Sequence, residues 1–219
     1  MNYSKPSPTL PTILDMPFSD YKNIGTVAKE YQIKYVEAAC IVETEFPVND
    51  YFRDELALNL RELVIDNSEA AICESQIYPI LREVWKLYRN NFILWSHQPL
   101  NYDPKLSGVP DYILAKRSPL GKIIFDKPYL VLVEAKKDNF EEGWGQCLAE
   151  MIAAQKINNE PNQTIYGMAS NGGIWQFGKL TGDVFTKDIN FYTIRELDKL
   201  LAAINYVFQQ CELQLIDQN

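Results

Sequence analysis

Gly108-Val109-Pro110-Asp111 and, further on, Val131-Leu132-Val133-Glu134-Ala135-Lys136 place two carboxylates and an amine at the ends of apolar, β-prone runs. Strand side chains alternate faces, so Glu134 and Lys136 share one face while Val133 and Ala135 point to the core. Asp111 opens the preceding strand and Glu134 closes the next. If the two strands pair antiparallel about a turn at 118–122, the start of the first lies beside the end of the second. Asp111, Glu134 and Lys136 then converge at one edge of a sheet, with Lys136 about 6.6–6.8 Å along the strand from Glu134. Two carboxylates and a lysine are the set that a magnesium-dependent phosphodiesterase needs. Hard oxygen ligands hold the ion at roughly 2.0–2.1 Å. A nearby ammonium can orient water and offset developing negative charge.

The elements that must position these groups follow from periodicity and turn chemistry. Residues 1–11 hold Pro6, Pro8 and Pro11 among Ser and Thr, the composition of a flexible tail. Residues 12–67 read as an N-terminal helical elaboration. It has a short helix, a strand-like stretch at 39–42, and a helix capped by Asn49 or Asp50 with Leu56, Leu60 and Leu63 on one face. Ser68 caps the next helix, whose apolar stripe is Ile77, Ile80, Leu81, Val84 and Tyr88. Pro79 within it predicts a kink or broken first turns. Strands are expected at 92–95, 111–116 and 129–136, then a crossover helix at 145–158. A hairpin of 164–170 and 174–177 turns at Asn171-Gly172-Gly173. A short edge strand is expected at 184–186, and Thr193 with Glu196 forms a capping box before a long C-terminal helix. The order predicts an α/β fold with a mixed central sheet flanked by helices.

Pro110-Asp111 and Glu134-Ala135-Lys136 resemble the two halves of the motif of the PD-(D/E)XK nuclease superfamily. Gln146, opening Gln146-Cys147-Leu148-Ala149-Glu150-Met151, matches a glutamine of members similar to the nuclease subunits of type I restriction enzymes. Glu74 matches the acidic residue that the family often has in its first core helix. The resemblance spans residues 69–177. The whole chain is also similar to a group of stand-alone cyanobacterial proteins, through 145–151 and Thr164-Ile165-Tyr166-Gly167. The resemblance implies a restriction-endonuclease-like core over 68–219 and a nuclease acting on DNA with Mg2+ or Mn2+. It implies Asp111, Glu134 and the Ala135 carbonyl as ligands, Lys136 at the attacking water, and Glu74 at a second metal or a water. Gln146 would position substrate or Lys136.

Each residue also has a plainer reading. Glu134 and Lys136 could form an exposed ion pair contributing roughly 0–1 kcal/mol. Asp111 could start a strand, Glu74 could be a solvated boundary residue, and Gln146 and Glu150 ordinary helix residues. Trp144, Trp175 and Tyr166 could stack on bases, although core packing is the better reading. His97, the single histidine, reads as a hydrogen-bonded strand end. Its isolation excludes zinc proteases, HNH and HD nucleases and histidine triads. The alternative function is a catalytically silent nuclease-fold module that binds nucleic acid or a protein partner. A formal net charge of −8 favours it, because phosphate-binding proteins are usually basic. With no motor or sequence-reading motif, either a homodimer mate or protein partner would supply specificity or the substrate would be recognised by its structure. Four widely spaced cysteines without a CxxC pair, no long apolar run and no secretory signal suggest a cytoplasmic protein with reduced thiols and no membrane association.

Overall fold

The computed structural model describes residues 17–216. The tail expected over 1–11 lies outside the described residues. The fold is α/β, with a mixed seven-stranded sheet covered by helices on both faces.

A 3-10 turn (Pro17–Asp20) leads into α1 (Ile24–Tyr31), whose first turn is closed by Asn23 accepting from the Thr26 amide at 2.8 Å. β1 (Lys34–Ala38) and α2 (Asp50–Glu62), capped by Asn49, follow. The strand therefore lies at 34–38 and not at 39–42, so the N-terminal segment adds a sheet edge as well as helices. Asp188 explains the displacement: its carboxylate accepts from the Cys40 and Ile41 amides at 2.6 and 2.7 Å, which takes that segment out of the ladder.

Ser68 caps α3 (Glu69–Ile72), which continues through a π-helical stretch (Cys73–Ile77) into α4 (Tyr78–Tyr88). The irregularity expected from Pro79 is thus a widened turn just before it. Proline cannot donate to the carbonyl four residues back, and a π turn relieves that register.

β2 (Phe92–Ser96), β5 (Tyr112–Arg117) and β6 (Phe125–Ala135) form an antiparallel meander, with a two-stranded insert of β3 (Leu100–Asn101) and β4 (Ser107–Gly108) between the first two. α5 (Phe140–Asn158) connects β6 to β7 (Ile165–Ser170), which lies parallel to it. β8 (Ile174–Thr181) and β9 (Val184–Thr193) continue antiparallel, and β1 closes the sheet parallel to β9. The stretch expected as a short edge strand is thus ten residues long and internal, because β1 covers it. Thr193 makes no side-chain cap. A 3-10 turn (Ile194–Glu196) instead leads into α6 (Leu197–Ile216).

α5 starts at Phe140, before the residue expected from the sequence, because Asn139 caps it by accepting from the Glu142 amide at 3.1 Å. It covers one face of the sheet with α1, while α4 and α6 cover the other. Burial on both faces explains why Leu130 to Ala135 are all buried instead of alternating. The four cysteines are free thiols. Among the described residues, no helix is long and apolar enough to cross a membrane.

Candidate active site at the sheet end

The β5–β6 register pairs Tyr112 with Val133, which sets Asp111 across from Glu134 at one end of the sheet. Asp111 is tied there: one carboxylate oxygen accepts from the Ala135 amide at 2.7 Å, and its backbone carbonyl accepts from His97 N at 2.9 Å. Lys136 extends past the last ladder pair, its amide donating to the Ser170 carbonyl at 2.9 Å. Its ammonium lies 3.1 Å from Glu134 and 3.8 Å from Glu69. The three residues singled out by the motif are therefore brought together.

Their environment differs from an exposed sheet edge. Glu134 is buried, so the plain solvent-exposed ion pair does not describe it. Its face of the sheet is covered by α5. Gly143, in the first turn of that helix, sits so close that a Cβ there would lie 3.0 Å from Lys136 Cγ. Gln146 and Glu150, three and seven residues on, continue the same helical face. Both are buried, and Gln146 Oε1 and Glu150 Oε2 have no hydrogen-bond partner among the described residues. Glu150 and Glu134 are close enough for each carboxyl to act on the other's charge.

The electrostatics follow from this crowding. Burial, then the neighbouring Asp111 charge, raises the Glu134 pKa against the opposing pull of Lys136. Burial and then the neighbouring Glu134 charge push the Glu150 pKa well above the usual carboxylate range. Burial also raises Asp111, partly offset by the Ala135 amide, His97 and Lys136. For Lys136, burial works to lower the pKa, but Glu134 and Glu69 outweigh it and the net shift is upward. The ammonium stays charged.

Glu74 is not part of this arrangement. It is exposed in the π-helical stretch and makes no ion pair with Lys136. Cys73, Ser75, Gln76 and Ile77 are the buried residues there, which leaves Glu74 outward. Glu69, the first residue after the Ser68 cap, is the helical acid that faces Lys136, and it also accepts from the Lys137 amide at 3.4 Å. The cap was the available signal, since it fixes which residue begins the helix. His97 was expected only as a strand end. It is that, with Nδ1 2.8 Å from Ser96 Oγ, and its Nε2 is also 3.4 Å from Asp111. Its φ of 50°, in the left-handed region, aims the ring at the site.

Among the described residues, no group of three or more His, Cys, Asp or Glu side chains is arranged to hold a metal ion by itself. Magnesium does not require one: it is usually held by one or two carboxylates and completes its shell with water and substrate phosphate. Asp111 and Glu134 are hard oxygen donors in a pocket where burial disfavours their negative charge, and Gln146 Oε1 and Glu150 Oε2 stand unpartnered beside them. That chemistry fits a divalent ion. A cleft of about 640 Å³ lined by Ile24, Phe140, Trp144 and Lys187 includes none of these groups, so charge convergence and not volume singles out the site. Comparison of the chain with models of known protein families and with curated proteins yields no match.

Proposed function

We propose that this protein is a magnesium- or manganese-dependent nuclease with a restriction-endonuclease-like core, hydrolysing phosphodiester bonds in DNA. The observation that carries the reading is the Asp111–Glu134 pair at adjacent strand ends with the Lys136 ammonium 3.1 Å from Glu134. The succession of a helix, the β2–β5–β6 meander, α5 and parallel β7 supports it, being the element order expected for that core.

Asp111 and Glu134 would hold the ion, which supplies charge neutralisation at the phosphoryl oxygens and lowers the pKa of water. Lys136 offsets the negative charge that grows on the phosphoryl group and orients the attacking water by hydrogen bonding. Glu69 and Glu134 keep that amine protonated, so in the resting site it is a donor and an electrostatic group instead of a base. Gln146, buried on α5 with its Oε1 unpartnered, would position substrate or Lys136.

A silent binding module is the second reading, favoured by the net charge of −8 and by the ion pairs that hold Lys136. The discriminating experiment incubates the protein and its Asp111→Asn variant with Mg2+ or Mn2+ and a panel of linear, nicked, branched and single-stranded DNA. Cleavage of at least one substrate by the wild type alone is expected. Manganese binding without cleavage of any substrate supports the silent module.

A further inference from the structure

Trp144, Trp175 and Tyr166 are buried at 1%, 0% and 4% exposure and cannot receive a base. A different aromatic group adjoins Asp111, through the next residue in the chain and through His97. Tyr112, the residue after Asp111, is fixed at 2% exposure. Against it lies Tyr78, with ring centroids 6.0 Å apart at 23°, and His97, edge-on at 6.1 Å. Tyr78 remains 38% exposed and His97 is exposed. Tyr78 begins α4 immediately after the π-helical stretch, so the same irregularity sets its ring against Tyr112. His97 links the group to the chemistry, 3.4 Å from Asp111.

We propose that Tyr78, backed by Tyr112 and flanked by His97, is a stacking platform for an unpaired base next to the phosphate held at Asp111 and Glu134, and that the substrate is single-stranded DNA or an unpaired strand end. The inference rests on the nuclease reading of those carboxylates. An aromatic ring accepts any base by its π-face, independent of sequence. A ring already stacked on a buried neighbour loses little freedom on binding. A base within a duplex offers no free face unless it is first unstacked, at a cost in free energy. Lys136 and exposed Lys137 at the same sheet end suit the phosphates of one strand, while the acidic total gives no basic track for a duplex.

The test measures binding of a fluorescein-labelled mixed-sequence 12-nucleotide DNA, single-stranded and as a duplex, by anisotropy in Ca2+ with the full chain. Wild type should favour the single strand at least tenfold. Tyr78→Ala and Tyr78→Leu should weaken single-strand binding about 5- to 100-fold, the effect of losing one base–aromatic stack, without altering Mn2+ affinity. Tyr78→Phe and Tyr78→Trp should restore it. Leucine keeps apolar bulk against Tyr112, so it separates stacking from folding if the alanine variant melts early. Unchanged single-strand binding in Tyr78→Leu, or equal losses for duplex and single strand, overturns the platform. If wild type nevertheless cleaves DNA, the nuclease centre stands and only the platform falls. If wild type binds Mn2+ but neither form of DNA, both fall.

Discussion

Lys136 is the residue whose chemistry is easiest to isolate, because it touches the carboxylates without being an oxygen ligand. Lys136→Ala should reduce turnover by at least about 100-fold, the lower range for losing one donor that stabilises transition-state charge, while divalent-ion affinity stays within a few fold. Calorimetric titration with Mn2+ beside a cleavage assay measures both; cleavage surviving the substitution would place the chemistry elsewhere. The buried carboxyls carry a second prediction. Asp111, Glu134 and Glu150 all titrate higher in the fold than in the unfolded chain, where such groups ionise near pH 4. The stability they contribute is therefore full below about pH 4 and is lost as pH rises through their raised folded values. Metal-free Glu150→Gln should match wild type near pH 4 and melt higher at pH 8, by roughly 2–4 °C for each kcal/mol relieved. Melting curves across pH that shift equally for both proteins would refute the account.

At the scale of elements, α5 has the central part. It bridges β6 and β7, presents Gly143 to Lys136, and carries Gln146 and Glu150. Gly145 on the same helix meets the backbone of the segment before α1. A Cβ there would lie 2.5 Å from the Tyr21 carbonyl oxygen and 2.6 Å from Asn23 N, and backbone cannot swing aside as a side chain can. Gly145→Ala should cost about 1–3 kcal/mol in urea unfolding through overpacking, despite alanine's better helix propensity. A stabilised variant would mean that α1 does not pack against α5 as described. Most helices and strands were legible from apolar period and caps, Asn49 and Ser68 among them. What was not legible was pairing: β9 reads as short and marginal until β1 comes to its side from the other end of the chain.

For the whole molecule, charge sets the prediction. With a formal net charge of −8, the fold lacks the basic excess that grips a phosphate backbone unaided. DNA affinity in EDTA should be at least tenfold weaker than in Ca2+ at the same ionic strength, because a cation at Asp111 and Glu134 would be the bridge. Anisotropy at about 0.15 M salt checks this, and tight binding in EDTA would point to a surface away from the carboxylates.

The local spacing in the sequence was enough to bring Asp111, Glu134 and Lys136 to one strand end, since alternation and a hairpin are short-range geometry. Only the tertiary structure decided that Glu69 faces this cluster and Glu74 does not, because that depends on where a helix starts and which stripe it buries. The same holds for Glu150, which is an ordinary helix residue until α5 lies across β6 and seals its carboxyl against Glu134. His97 joins Asp111 only because β2 pairs with β5 and ends in a left-handed turn. Residue types and spacing announce a chemistry, but burial, and with it charge, is set by what the distant chain folds over them.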